Sequence, residues 1–473
     1  MSIFKTYDIR GIYGQEWEKE TAYRIGRALP TLLGARDILI GRDARLSSEE
    51  IMEALSTGIM DCGSDVTDVG LCSTPAIYFS TAFYNFGGSV MITASHNPSQ
   101  YNGLKISREN AVPVGYSTGL DRLEEMAAES AGPSTANGRV ATAGSSAPGG
   151  SSDPSGGAAT RGKLTHKDIR ADYLTHLSRF KGDIRDIKAV VDCSNGMAGV
   201  FIHDVLSDLE MEITLMYDDP DGRFPNHDPN PLVEENLSDL KAKVRESKAD
   251  LGICFDGDAD RVMFVDENAR FVSPDLITAL LARYYFLHFP ARRRGSNVVL
   301  YDVRSSRSVV EEITRLGGRP VICQVGHSYA KKLLRETNGI LGGELAGHYY
   351  FKENFFCDSG MIAALLVLSV LSREKILLSE FVDEVQKYFY SGEINFEVQE
   401  KEKIVQDLLC DYYDGKLNDI DGIRIDYSSW WFNVRPSNTE AYLRLIVEAD
   451  THEELQERTQ ELKEKIRKYD SQR

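Results

Sequence analysis

Short apolar runs recur along the chain between stretches where apolar side chains return every three or four positions. From residue 15 to about 128 this pattern predicts a helix over 17–29, a strand over 37–40, a helix opened by Ser47 and an apolar strand over 89–92. Glu50, three positions after Ser47, gives the spacing of a capping box. Strands alternating with helices indicate a βαβ-type domain. A second alternating unit has strands over 188–192, 212–217 and 249–255 and a helix over 233–248. A third, about 271–388, has strands over 297–303 and 319–323 and a buried apolar helix over 361–371 that is too short to cross a bilayer. The end of the chain changes character. Two strands over 422–427 and 442–448 precede a charged helix over about 452–468, which suits a smaller α+β domain.

At 473 residues the chain exceeds what one hydrophobic core serves. The expected division is 1–165, 166–270, 271–388 and 389–473. Within the first, residues 130–163 are rich in Ser, Gly, Ala, Thr and Pro. Such a segment buries too little surface to offset the entropy of ordering and reads as a flexible insertion. The first three units share a pattern of elements, with no sequence repeat between them.

The apolar content of 42% is ample for packed cores. The chain has no long apolar run, and residues 1–14 lack a basic-then-apolar leader, so a soluble cytoplasmic protein without membrane contact is expected. Seven scattered cysteines, none spaced as CxxC, argue against a disulfide framework or zinc site and read mostly as small buried apolar residues. A net charge of −18 excludes general attraction to nucleic acid or an anionic membrane. Arg292-Arg293-Arg294 reads as a solvated loop. An anionic substrate would need positive charge gathered locally.

Four loops carry candidate chemistry. Thr93-Ala94-Ser95-His96-Asn97-Pro98 follows an apolar strand, and a turn at Asn102-Gly103 could bring Lys105 back to it. A serine just beyond a strand end is exposed and firmly aimed, as a phosphoryl carrier must be. Alone, the segment reads more readily as a turn with side-chain caps. Asp256-Gly257-Asp258-Ala259-Asp260-Arg261 places three carboxylates on alternate residues, spaced to converge on one hard cation. A calcium loop fails there, because Arg261 stands where that loop needs Gly and strands flank it. An acidic surface turn is disfavoured by the apolar run over 251–255.

In Gly342-Gly343-Glu344-Leu345-Ala346-Gly347-His348, Glu344 could bind two sugar hydroxyls and His348 could move a proton near neutral pH. An ordinary loop fits that segment as well. Arg435-Pro436-Ser437-Asn438-Thr439-Glu440 offers a planar fork and neutral donors to a phosphate, or is a polar turn.

Together, in this order and spacing, the four loops resemble the α-D-phosphohexomutase superfamily, most closely its phosphomannomutase/phosphoglucomutase branch. The resemblance covers nearly the whole chain apart from 130–163. It implies an α/β fold of four domains around a central cleft, three mixed α/β and a smaller C-terminal α+β, each lending one loop. It also implies interconversion of hexose 1-phosphate and hexose 6-phosphate, with mannose or glucose as the sugar. The route would be a phosphoserine at Ser95 and a hexose 1,6-bisphosphate, which also serves as activator.

By the same resemblance one Mg²⁺ per chain would be held by Asp256, Asp258, Asp260 and the Ser95 phosphate, with Arg261 meeting phosphate oxygens. Lys105 and His348 would be the acid/base groups. Tyr7, Arg10, Arg304, His327, Glu344, His348, Arg435, Ser437, Asn438 and Thr439 would bind substrate. Hexose phosphates are the implied partners, in a monomer or homodimer. Ala346 stands where many members carry Ser, Ala441 where Pro is common, and Arg304 where some carry Lys. These departures bear on substrate preference. Phosphoglucosamine mutase is the nearest competing reading, followed by a phosphohydrolase and a non-catalytic sugar-phosphate binder.

Overall fold

The computed structural model describes residues 2–129, 160–293, 295–436 and 442–469. The described chain forms four sheets, and the first three share one wiring. In each, the first of three parallel strands lies central, the second pairs on one side and the third on the other. In the first sheet these are Asp37–Arg42, Asp65–Leu71 and Gly88–Ile92. In the second they are Arg185–Asp192, Glu210–Met216 and Leu251–Phe255. In the third they are Val298–Asp302, Arg319–Cys323 and Leu341–Gly343.

In every case an antiparallel strand then pairs with the third: Tyr101–Arg108, Val262–Asp266 and Tyr349–Phe351. The loop at that joint begins at the carboxyl end of a parallel strand, where open α/β sheets bind ligands. The three joints hold Ser95, the aspartate triplet, and Glu344 with His348. The fourth sheet is antiparallel throughout and is covered by helices Lys401–Asp411 and His452–Arg467.

Most predicted elements form, with instructive differences. The first helix runs Lys19–Leu33, through Pro30, and stops at Gly34 in the left-handed conformation (φ 64°). Ser47 does precede the helix Ser48–Asp61, but its side chain caps nothing. Its backbone is already helical (φ −85°, ψ −10°), whereas a capping side chain needs an extended residue. Its hydroxyl accepts from the Asn102 amide instead, and Glu50 takes the Tyr13 hydroxyl.

Asn102 and Gly103 make no turn. They lie inside the strand Tyr101–Arg108, where pairing of Lys105 with Met91 returns the lysine to the site. A Cβ on Gly103 would stand 2.1 Å from the Ile9 carbonyl oxygen, so only glycine lets strand Ile9–Ile12 close against it. The helix expected over 233–248 begins as a 3₁₀ turn, Glu234–Leu237, before Ser238–Ser247. Arg292 is no solvated loop residue: it pairs with Glu353 and lies over the Phe180 ring.

The helix Gly360–Glu374 is buried over Gly360–Leu371 and joins a core to which the first, second and third sheets all contribute. Five cysteines are buried and unbridged, and Cys62 and Cys410 are exposed. Among the described residues no helix is long and apolar enough to cross a membrane. Residues 130–159 of the expected insertion lie outside the described residues, while Gly162 already bonds the Met60 carbonyl.

Candidate active site

The serine loop and the aspartate loop meet face to face. Ser95 Oγ donates to Asp256 Oδ2 at 2.8 Å. A Cβ on Gly257 would stand 2.5 Å from the Ser95 carbonyl oxygen, so the glycine between the first two aspartates is what permits the approach. Ser95 is buried rather than exposed as expected, and it holds φ 51°, a left-handed conformation that costs a non-glycine residue free energy and persists where its surroundings fix it. The fixing group is Arg45, buried and pointing inward. Its Nη2 donates to the carbonyls of Ser95 (2.8 Å) and Asn97 (2.6 Å), and its Nη1 to those of Pro98 and Tyr101. Arg10 adds a bond from Nη1 to Asn97 Oδ1 at 2.6 Å.

Asp256, Asp258 and Asp260 are all buried, with one oxygen of each within 4.8 Å of the others. Burial, then repulsion from Asp258 and Asp260, pushes the Asp256 carboxyl well above the usual range. Lys105 Nζ reaches Asp258 Oδ2 (2.6 Å) and Asp260 Oδ2 (2.5 Å). Burial alone would lower this ammonium, but the aspartates outweigh it and raise it above the ordinary lysine value. Asp258 is likewise opposed by burial, yet Lys105 and the Thr74 hydroxyl hold it low.

Lys105 and the more distant Arg261, 3.9 Å from Asp256, leave the three carboxylates incompletely paired, and Asp258 Oδ1 and Asp260 Oδ1 are buried without a hydrogen-bond partner among the described residues. An all-oxygen set with unspent lone pairs fits a hard divalent cation.

Across the joint to the third sheet, Val262 N donates to Gly347 O, and Arg261 Nε donates to His348 Nε2 at 3.0 Å. On its other side, His348 Nδ1 lies 2.7 Å from Asp358 Oδ2. Asp358 Oδ1 in turn lies 2.8 Å from Nζ of Lys331, which is fully buried over the Tyr78 ring. The bond from Arg261 makes Nε2 the accepting nitrogen of the ring, with Nδ1 turned toward Asp358. Glu344 accepts from Gly326 N (3.0 Å) and from the Tyr350 hydroxyl, and burial raises its carboxyl. His327 packs 6.0 Å from His348, and Tyr7 lies 5.6 Å from His327 with its hydroxyl on the Val325 carbonyl. Burial, with Lys331 nearby, holds the His327 imidazole well below its ordinary value.

Arg304 is clasped by Asp302, with Nη2 to Oδ2 at 2.6 Å. Arg435 is buried at the end of strand Trp430–Pro436. Ser437, Asn438 and Thr439 lie outside the described residues. Ser95, Lys105, the three aspartates, Arg261 and His348 thus form one connected set. Arg304 and Arg435 belong to a separate basic cluster shared by the third and fourth sheets. Arg45, Thr74, Lys331 and Asp358 join the site with no signal in the sequence. Each is a single polar residue outside the four loops, and burial is its only distinguishing mark.

The chain matches four domain descriptions in order. They are "Phosphoglucomutase/phosphomannomutase, alpha/beta/alpha domain I" over 1–131, "domain II" over 171–269, "domain III" over 273–388 and the corresponding "C-terminal domain" over 393–465. It is 38% identical, over 99% of both chains, to a Xanthomonas campestris pv. campestris protein named "Phosphohexose mutases". It is 36% identical to a Pseudomonas aeruginosa "Phosphomannomutase/phosphoglucomutase", over 96% of this chain and 93% of that one. A crystal structure of a phosphoglucomutase/phosphomannomutase family protein from Burkholderia thailandensis superposes with a TM-score of 0.84 at 28% identity, covering 99% of this chain and 98% of that one.

Proposed function

Since the chain belongs to the phosphoglucomutase/phosphomannomutase family, we propose that it interconverts the 1-phosphate and 6-phosphate of a hexose, mannose or glucose, through Ser95. The observation that carries this reading is the contact of Ser95 Oγ with Asp256 inside a buried carboxylate triad. A hydroxyl at a strained position, gripped through its carbonyl by Arg45, suits a group that repeatedly gains and loses a phosphoryl.

In the forward half-reaction, the free hydroxyl of a hexose monophosphate attacks the phosphorus on Ser95. The bond to Ser95 Oγ breaks, and a hexose 1,6-bisphosphate results. His348 Nε2 is the base for the attacking hydroxyl: it already accepts from Arg261 Nε, with Asp358 2.7 Å from Nδ1 on the other side, and Arg261 releases it on turning to the phosphate. Lys105, whose ammonium bonds Asp258 and Asp260 beside the serine loop, is the candidate acid that returns a proton toward the serine oxygen. Asp256, Asp258, Asp260 and the Ser95 phosphate would hold one Mg²⁺, which when bound offsets the negative charge of the transferring phosphoryl. On this reading Glu344 takes sugar hydroxyls, and Arg435 with Arg304 the phosphate that does not react. The bisphosphate then turns end for end and returns its other phosphoryl to Ser95. A hydrolase would need water in the same place and would release phosphate.

The test is mass spectrometry of the peptide carrying Ser95 after incubation with glucose 1,6-bisphosphate and Mg²⁺. Phosphate on Ser95 is expected, and its loss on adding excess hexose monophosphate. Phosphate on another residue, or on none, would overturn the reading.

A further inference from the structure

Arg435 and Arg444 face one another directly across the antiparallel strands Trp430–Pro436 and Tyr442–Ala449. Like charges in that position repel and need an anion between them. Arg304 reaches the same place from the end of strand Val298–Asp302, so repulsion from Arg304 adds to the burial that lowers the Arg435 guanidinium.

The anion supplied is Glu393. It directly precedes strand Ile394–Glu397, where Asn395 pairs with Arg444, so Glu393, two positions before Asn395, shares a face with that arginine and lies diagonal to it. Its Oε1 lies 3.1 Å from Arg444 Nη1, while its Oε2 lies 3.4 Å from Arg304 Nη1 and 3.6 Å from Arg435 Nη2. The last two distances are loose beside the 2.6 Å at which Asp302 grips Arg304. Arg435 is 3% exposed, yet its Nε has no hydrogen-bond partner among the described residues. The fork is therefore held but unsaturated, and Glu393, at 24% side-chain exposure, has a way out to solvent.

We infer that Glu393 is an internal stand-in for the substrate's phosphate. Its carboxylate keeps the three guanidinium groups together between turnovers, and an incoming phosphate dianion displaces it. The inference rests on the reading of Arg435 and Arg304 as a phosphate site and adds a residue that sets affinity there. A phosphate offers more oxygens and more charge than one carboxylate, so it wins the exchange, but at reduced apparent affinity. The consequence for turnover is faster release, because the carboxylate returns as the phosphate leaves.

Isothermal titration of the full-length chain with inorganic phosphate tests this, together with steady-state rates on glucose 1-phosphate. Glu393→Gln is expected to bind phosphate about fivefold tighter, as suits removal of a partly exposed ion pair. Its KM should fall without a rise in kcat. Unchanged or weaker phosphate binding overturns the proposal, since Glu393 would then support the arginines without competing. Should Glu393→Gln not fold, Glu393→Asp keeps the charge on a shorter stem. It is expected to bind about twofold tighter, and wild-type affinity there overturns the proposal equally. Arg435→Gln separates the two readings. If it leaves phosphate binding intact, the phosphate site itself is wrongly placed. If it loses binding while Glu393→Gln gains none, only the role of Glu393 falls.

Discussion

Ser95 Oγ donates to Asp256 Oδ2 over 2.8 Å, although the two residues lie 161 positions apart. The bond ties the phosphoryl carrier to the candidate metal site, so a change in one is felt by the other. Asp256→Asn keeps the shape and removes the charge. Its affinity for Mg²⁺ by calorimetry is expected to fall at least about tenfold. Wild-type affinity would remove Asp256 from the ligand set.

Lys105 is a counter-ion as well as a candidate acid. Breaking a buried ion pair by removing one partner costs about 3 kcal/mol, because the remaining charge is left uncompensated. Lys105→Met should therefore unfold at lower denaturant concentration than wild type in the absence of divalent cation, and regain more stability than wild type does when Mg²⁺ is added. Equal stabilisation of the two proteins by Mg²⁺ would show that the ammonium and the cation do not answer to the same carboxylates.

The chain from Lys331 through Asp358 to His348 makes a graded prediction. His348→Gln should lower kcat about 100-fold, in the range a positioned base supplies. Asp358→Asn leaves the imidazole but removes the carboxylate beside Nδ1, and should lower kcat about tenfold with KM little changed. A rise in KM at constant kcat in Asp358→Asn would place Asp358 in substrate binding instead.

Much of this site can be read from the chain because its groups come in clusters. Asp256, Asp258 and Asp260 alternate within one loop, and Ser95 follows an apolar strand as the aspartates do. The common position of the three loops is hidden from sequence, because it depends on which strand turns antiparallel. Lys105 was expected from a turn at Asn102-Gly103 and arrives by strand pairing instead. Arg45 and Asp358 give no signal, since a lone Arg or Asp is ordinarily a surface residue and only the fold buries it. The capping box at Ser47 failed because spacing specifies partners but not the backbone angle that brings them together.

His176 gives a pH prediction away from the site. Its ring packs against both Phe79 and Phe355, Nε2 donates to Asn354 Oδ1, and Nδ1 accepts from Arg179. Burial lowers it from the ordinary 6.5 to about 4. Between those values the unfolded chain binds the proton and the folded one does not. Stability is therefore fully present above about pH 6.5 and is lost as pH falls toward about 4, by at most about 3 kcal/mol. Urea unfolding at pH 7 and 4.5 should show a smaller loss in His176→Gln. An equal loss would assign the acid sensitivity to other groups.

The central claim is that Ser95 carries the phosphoryl between the two ends of a hexose. Phosphorus NMR of mannose 1-phosphate and glucose 1-phosphate, with enzyme, Mg²⁺ and a trace of hexose 1,6-bisphosphate, observes that transfer directly beside a Ser95→Ala control. The account predicts that the 1-phosphate signal is replaced by that of the 6-phosphate, with little free phosphate, and that the variant loses at least about 1000-fold in rate. Conversion that persists in Ser95→Ala, or free phosphate as the main product, would contradict it.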